Sequence, residues 1–242
     1  IAGLSRRTTP TPGNVALCLS GGGSRAMCGG MGQLRALAEI KTANGQSVLS
    51  QVKGLSTVSG GSWVGATWTY LPAKTSTADF VGEYVADPGR LVTTKTANHT
   101  MAETLDELPA QSAGQTPADR GFSPVGLVLQ VLSLAVVFQI PARMIWQTLV
   151  GMHVLARQGL FSPELLDHKE PTTFFSLDPE TLAGDVTSAN PSLAKETAHL
   201  IDHPDRPFLI CNMAMFVRPL GTGFEQLVPV QSTPRYTGIV GT

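Results

Sequence analysis

Apolar positions near the start of the chain fall into short, bounded runs. Val15 to Leu19 is one such run, closed by Ser20 and three consecutive glycines, the pattern of a buried parallel strand. From Ala26 to Ile40 the period changes. Met27, Met31, Leu34, Leu37, Ala38 and Ile40 recur at helical spacing, with Arg35 and Glu39 on the opposite side. Gly21, Gly22 and Gly23 therefore occupy a strand-to-helix turn. Val52 to Val58 predicts a second strand, Ser59-Gly60-Gly61-Ser62 a second turn of small residues, and Trp63 to Tyr70 a second helix. Two strand–turn–helix units in succession imply an α/β fold with a mainly parallel central sheet flanked by helices.

The remainder divides by pattern. Residues 1–13 are polar and Pro-rich and read as an extended arm; 14–72 form the core. Residues 73–170 read as an insertion, loop-rich to Gly121 and helical beyond it. Within it, Val125 to Ile140 is the most apolar stretch of the chain, interrupted by Gln130, Ser133 and Gln139. It is shorter than the ~20 apolar residues that a membrane span requires. Pro141 breaks it, and Met144 to Ala156 resumes the helical pattern. A buried helical hairpin and a lid or interfacial element that meets lipid both fit. Residues 171–242 read as a return to the core. There Phe208 to Val217 predicts a strand, and the segment from Val217 to Val230 a turn leading to an edge strand.

Composition narrows the function classes. The chain has 242 residues, 42% hydrophobic and only 14% charged, enough apolar material for a sizeable core. The net charge of −1, with no dense Lys/Arg stripe, argues against nucleic acid as a partner. Cys18, Cys28 and Cys211 form neither a CxxC pair nor a zinc spacing, and read as reduced, buried thiols. No metal-ligand cluster is visible, so no cofactor is implied. The first residue is Ile1 and no signal-peptide pattern opens the chain, which reads as a processed product or an excerpt.

The glycine turn admits two chemistries. Gly21, Gly23 and Ala26 fit G-x-G-x-x-A, a dinucleotide fingerprint that seats a pyrophosphate at a helix N-terminus. That reading also needs an acid at the end of the second strand to hold a ribose. The strand ends in Thr57-Val58-Ser59, Glu39 comes too early, and no acid follows before Asp79. A P-loop fits less well still, because no Gly-Lys-Ser/Thr follows the glycines. The second chemistry takes both turns together. Ser59, between strand and helix and followed by Gly60 and Gly61, has the setting of a nucleophile elbow, although Thr57 stands where the usual pattern has glycine. The amides of Gly22 and Gly23 would then form an oxyanion hole, and Arg25 would match a phosphate with its planar fork of donors.

Ser20-Gly21-Gly22-Gly23-x-Arg25-Ala26-Met27 followed by Ser59-Gly60 and Trp63 resembles the catalytic domain of the cytosolic phospholipase A and lysophospholipase family, related to patatin-like lipases. The likeness covers residues 14–70, with a faint echo from Leu227 to Ile239. The resemblance implies a patatin-like α/β fold with a helical lid, and Ser59 as the nucleophile of a Ser–Asp dyad. It implies oxyanion amides from Gly22 and Gly23, and substrate contacts from Arg25, Gly21 and Gly60. A phospholipid or lysophospholipid substrate, contact with a membrane surface and a cytoplasmic or peripheral-membrane setting go with it. The family's aspartate lies late in an Asp-Gly-Gly/Ala-like motif. This sequence has no Asp-Gly, and neither Asp178 nor Asp185 fits, so the expectation is a dyad aspartate beyond Thr242 of a longer catalytic domain.

Overall fold

The computed structural model describes residues 15–82, 124–161, 173–218 and 225–239. The 1–13 arm and, from residue 83 onward, the loop-rich stretch expected from 73 to 121 lie outside them. The chain forms two compact units. One comprises Ile1–Tyr70 with Thr173–Thr242, the other Leu71–Thr172.

In the first unit, β1 (Val15–Leu19) leads into α1 (Gly23–Glu39), and β2 (Val52–Val58) leads into α2 (Gly60–Thr69). After the second unit the chain returns through β3 (Thr173–Phe175), β4 (Thr197–His199), β5 (Phe208–Val217), β6 (Gln226–Ser232) and β7 (Thr237–Ile239). The main sheet has the order β1-β2-β5-β6-β7, and β3 and β4 pair separately. The fold is α/β, but the sheet is mixed where a mainly parallel one was expected. The β1–β2 and β2–β5 pairings are parallel, and the β5–β6 and β6–β7 pairings antiparallel. The short connections that follow Val217 and Ser232 leave no room for a crossover, so the chain folds back as a meander.

Two further expectations are corrected. β6 is not an edge strand, because the three-residue β7 covers it from Val230 to Ser232. Pro229, which has no N–H to donate, falls just outside that pairing. Conversely, β1 is the sheet's edge, and of its residues only Leu19 is buried.

Both helices lie over the face that carries Leu19, as right-handed crossovers stepping in one direction across the sheet require. Glycines set the spacing. A Cβ on Gly30 of α1 would stand 2.6 Å from Val64 of α2, and one on Gly65 2.6 Å from Thr57 of β2. Met27, Met31 and Leu34 of α1, Leu55 of β2, and Val64 and Trp68 of α2 form the buried layer. Because side chains alternate along a strand, Cys18 points away from that layer and is exposed. Cys28 and Cys211 are half-buried, and none of the three is in a disulfide, so the expectation of three buried cysteines fails.

The second unit holds α3 (Thr77–Val81), α4 (Pro124–Leu132) and α5 (Ala142–Val150). Ser76 and Asp79 close a reciprocal capping box on α3. α4 and α5 make the helical hairpin expected on either side of Pro141. Among the described residues no helix is long and apolar enough to cross a membrane.

Candidate active site

The pairing of β1 with β2 brings the two sequence-predicted turns together. Leu19 is in register with Thr57, so the residues that follow each strand emerge side by side at the same end of the sheet. A Cβ on Gly21 would stand 3.1 Å from the Cβ of Ser59. A Cβ on Gly60 would come within 2.8 Å of the carbonyl carbon and 2.9 Å of the nitrogen of Gly23, and closer still to its oxygen. A Cβ on Gly61 would stand 2.6 Å from the Ser20 carbonyl oxygen. The small residues are therefore required where the second turn lies directly against the first.

Ser59 is exposed and has φ 51 and ψ −124. The left-handed helical well, the usual refuge for positive φ, lies at ψ near +47. Ser59 is thus far from any comfortable backbone state for a residue with a Cβ. Gln139 is the other non-glycine with positive φ among the described residues. Strand β2 ends and α2 begins within this single residue, and Ser62 N–H already donates to its carbonyl at 2.8 Å. That sharp reversal leaves the Ser59 side chain at the turn's apex, the arrangement a nucleophile elbow needs.

Both helices that start here lack caps. Gly22, the residue before α1, has φ 140 and no side chain to offer, and Ser59 at the start of α2 caps nothing. Neither first turn contains an acid. No side chain caps the early N–H groups of either helix, and the positive ends of two dipoles come together at one place. Gly22 and Gly23 contribute two of those N–H groups. Arg25, in the first turn of α1, is exposed and forms no ion pair with a described residue. The site can therefore receive an anion or a developing oxyanion beside a serine hydroxyl.

A hydrogen-bonded layer that the sequence reading missed supports the elbow from below. Thr57 Oγ1 lies 2.9 Å from Ser62 Oγ, and donates to Ile210 O at 3.3 Å and Cys211 Sγ at 3.5 Å. Burial pushes the Cys211 thiol above its usual range, against the smaller opposing effect of the Thr57 and Ser62 hydroxyls. Asn212 Nδ2 donates to Ser56 Oγ at 2.9 Å and to Thr57 O at 3.0 Å, while its Oδ1 accepts from Gln231 Nε2 at 3.0 Å. Asn212 thereby ties the end of β2 to β5 and β6, two residues before Ser59. A lone amide inside the apolar run of β5 was the signal available for it.

The two aspartates already judged unsuitable for a dyad have other partners. Asp178 Oδ1 accepts from Thr181 N–H at 2.7 Å, capping a short helix, and Asp185 pairs with Arg235. Ser59 Oγ makes no hydrogen bond to a described carboxylate or histidine. Among the described residues no three His, Cys, Asp or Glu side chains gather as metal ligands would. No protein-family model, curated protein or solved structure matches the chain.

Proposed function

We propose that this chain is a patatin-like lipolytic acyl hydrolase that cleaves ester bonds of phospholipids or lysophospholipids through Ser59. The observation that carries the reading is the backbone of Ser59, held at φ 51 and ψ −124 against Gly21 and beside an uncapped glycine turn. In this reading Ser59 Oγ attacks the ester carbonyl and its proton passes to a carboxylate other than Asp178 or Asp185. The carbonyl oxygen becomes an oxyanion against the N–H groups of Gly22 and Gly23. Collapse expels the alcohol, and water then cleaves the acyl-enzyme. Each oxyanion donor is worth ~3–4 kcal/mol to such a step. Arg25 holds the substrate phosphate, the exposed Gly21 leaves room for the ester, and Gly60 serves by letting the two turns touch instead of contacting substrate. The working place of such an enzyme is the cytoplasm or the surface of a membrane.

The test is labelling with a fluorophosphonate, together with fatty-acid release from phosphatidylcholine and lysophosphatidylcholine. Labelling and release are both expected to vanish in Ser59→Ala. Labelling that survives this substitution removes Ser59 as nucleophile, and absence of release from every lipid removes the enzyme class. A second reading, a relative that binds lipid without cleaving it, draws on the lack of a carboxylate partner for Ser59 Oγ among the described residues. It gives vesicle binding with no release. A nucleotide-binding module gives thermal stabilisation by a dinucleotide instead.

A further inference from the structure

The hairpin of the second unit carries an unexplained surface. After α4 the chain continues through a wider turn, Ser133–Val137, in which Phe138 N–H donates to Ser133 O at 3.1 Å. It then reverses at Gln139 and Pro141 into α5. The inner side of the hairpin is accounted for. Leu134, Ile140 and Leu149 are buried together, with Val131, Met144, Ile145 and Met152 packed around them. The buried Thr148 hydroxyl donates to Met144 O at 2.9 Å, so it leaves no unmet group there.

The outer side is not accounted for. Val128, Leu129, Leu132 and Val136 recur at helical spacing and are more than half exposed, with Val136 at 71%. Val137 at 70% and Trp146 at 53% extend the same apolar character to the turn and to α5. A cluster of large exposed apolar residues on one hairpin is the mark of a docking surface. Its charge is one-sided. From Arg120 to Pro163 the sequence holds no Asp or Glu, and its only full charges are Arg120, Arg143 and Arg157. Arg143 is exposed near the start of α5, one turn from Trp146.

We propose that this hairpin face inserts into the surface of an anionic lipid bilayer, with Val128, Leu129, Leu132, Val136 and Val137 in the acyl boundary and Arg143 among the headgroups. The face lies in the plane of the interface and does not span it. Trp146, apolar with one N–H donor, suits the depth between the two layers. A second copy of the chain fits less well. A symmetric contact through this face would bring the exposed Arg143 of each copy to it with no carboxylate between Arg120 and Pro163 to meet them. The proposal supplies the membrane contact that the lipolytic reading calls for and rests on it for the choice of a lipid occupant; the surface itself is independent of Ser59.

The test is flotation of the full chain with vesicles of phosphatidylcholine alone and of phosphatidylcholine mixed equally with phosphatidylglycerol. Binding to the mixed vesicles, weakened by added salt, is expected. Val136→Asp and Leu129→Asp should each weaken it about tenfold or more, since a charge in the acyl boundary is costly. The paired change Val136→Ser with Val137→Ser avoids the risk of misfolding and should weaken it less. Arg143→Gln should reduce the preference for phosphatidylglycerol. The proposal is overturned by absence of binding, by binding that these changes leave untouched, or by a dimer on size exclusion that Val136→Asp dissociates without any vesicle binding. Vesicle binding by Ser59→Ala without hydrolysis supports the surface alone. Cleavage of a dispersed short-chain ester without vesicle binding overturns the surface and leaves the hydrolase standing.

Discussion

Replacing Ser59 by glycine should make the protein more stable while abolishing its labelling. Ser59 stands at φ 51 and ψ −124, a backbone state that costs a residue with a Cβ about 1–3 kcal/mol. Glycine adopts it freely. The substitution loses little in exchange, because the Ser59 side chain is exposed and caps neither of the two helices. The opposing cost is the greater freedom of glycine in the unfolded chain, about 0.5–1 kcal/mol. The net expectation is a gain of roughly 0–2.5 kcal/mol over the parent. For a chain of this size that raises Tm by about 2–4 °C for each kcal/mol. Ser59→Ala is the decisive comparison: it removes the same hydroxyl but keeps the Cβ and its strain. Calorimetry and urea unfolding of the three proteins measure the difference. If Ser59→Gly melts no higher than Ser59→Ala, the strain assigned to this residue does not exist and the elbow loses its physical basis.

Other perturbations probe the surrounding structure. Gly60→Ala would drive a Cβ into the backbone of Gly23, so it should cost about 3 kcal/mol or more in urea unfolding, or displace the glycine turn and end labelling. Gly29→Ala, exposed in α1 with nothing within 4 Å of the new Cβ, should instead stabilise by about 0.5–1 kcal/mol. Asn212→Asp exchanges both donated hydrogen bonds for repulsion against Thr57 O, and should cost about 2–3 kcal/mol by the same measurement. His199, stacked on Phe175 at 5.1 Å, has its pKa lowered mainly by burial, with Asp202 opposing. The unfolded chain therefore binds its proton more readily, so stability should fall as pH drops below about 6.5, and that slope should shrink in His199→Phe.

Strands β1, β2 and β5 were legible in the sequence, because each is an apolar run closed by small or polar residues. The helices were legible only in part. Their apolar period starts at Ala26 and Trp63, whereas α1 begins at Gly23 and α2 at Gly60. The first turns are built from glycine and serine chosen for close approach, so they carry no hydrophobic period to read. The mixed character of the sheet escaped for a different reason. Direction is set by what the chain does between strands, and the apolar run of β6 looks the same whether or not β7 covers it. The α4–α5 hairpin shows the limit most clearly. An apolar stretch reads as buried, yet its period cannot say whether protein or another medium covers the outer half. The expectation that the glycine turn and Ser59 converge came from the two motifs taken together, and the approach of the two turns depends on the in-register pairing of Leu19 with Thr57. Asn212 comes to the elbow by way of β5, far along the chain, and no local pattern announces that.

The concentration of unfavourable local choices at one place bears on function more than any single residue does. Glycine at a helix start gives up only a few tenths of a kcal/mol against a capping side chain, and here neither of two adjacent helices has a side-chain cap. Ser59 bears backbone strain where glycine would bear none, while Gly22 holds a capping position that serine, aspartate or asparagine fills better in most helices. Nothing in the packing of the first unit demands these choices, since its buried layer lies beneath the turns, at Leu19, Leu55, Val64 and Trp68. The close contacts do demand Gly60 and Gly61. They do not demand a hydroxyl at 59, whereas φ 140 at Gly22 and φ 62 at Gly23 do call for glycine there. A chain selected for stability alone would place glycine at the strained apex as well. The hydroxyl at 59 is thus the choice that folding does not explain, and in the proposed lipolytic reading it is the group that attacks the acyl carbon.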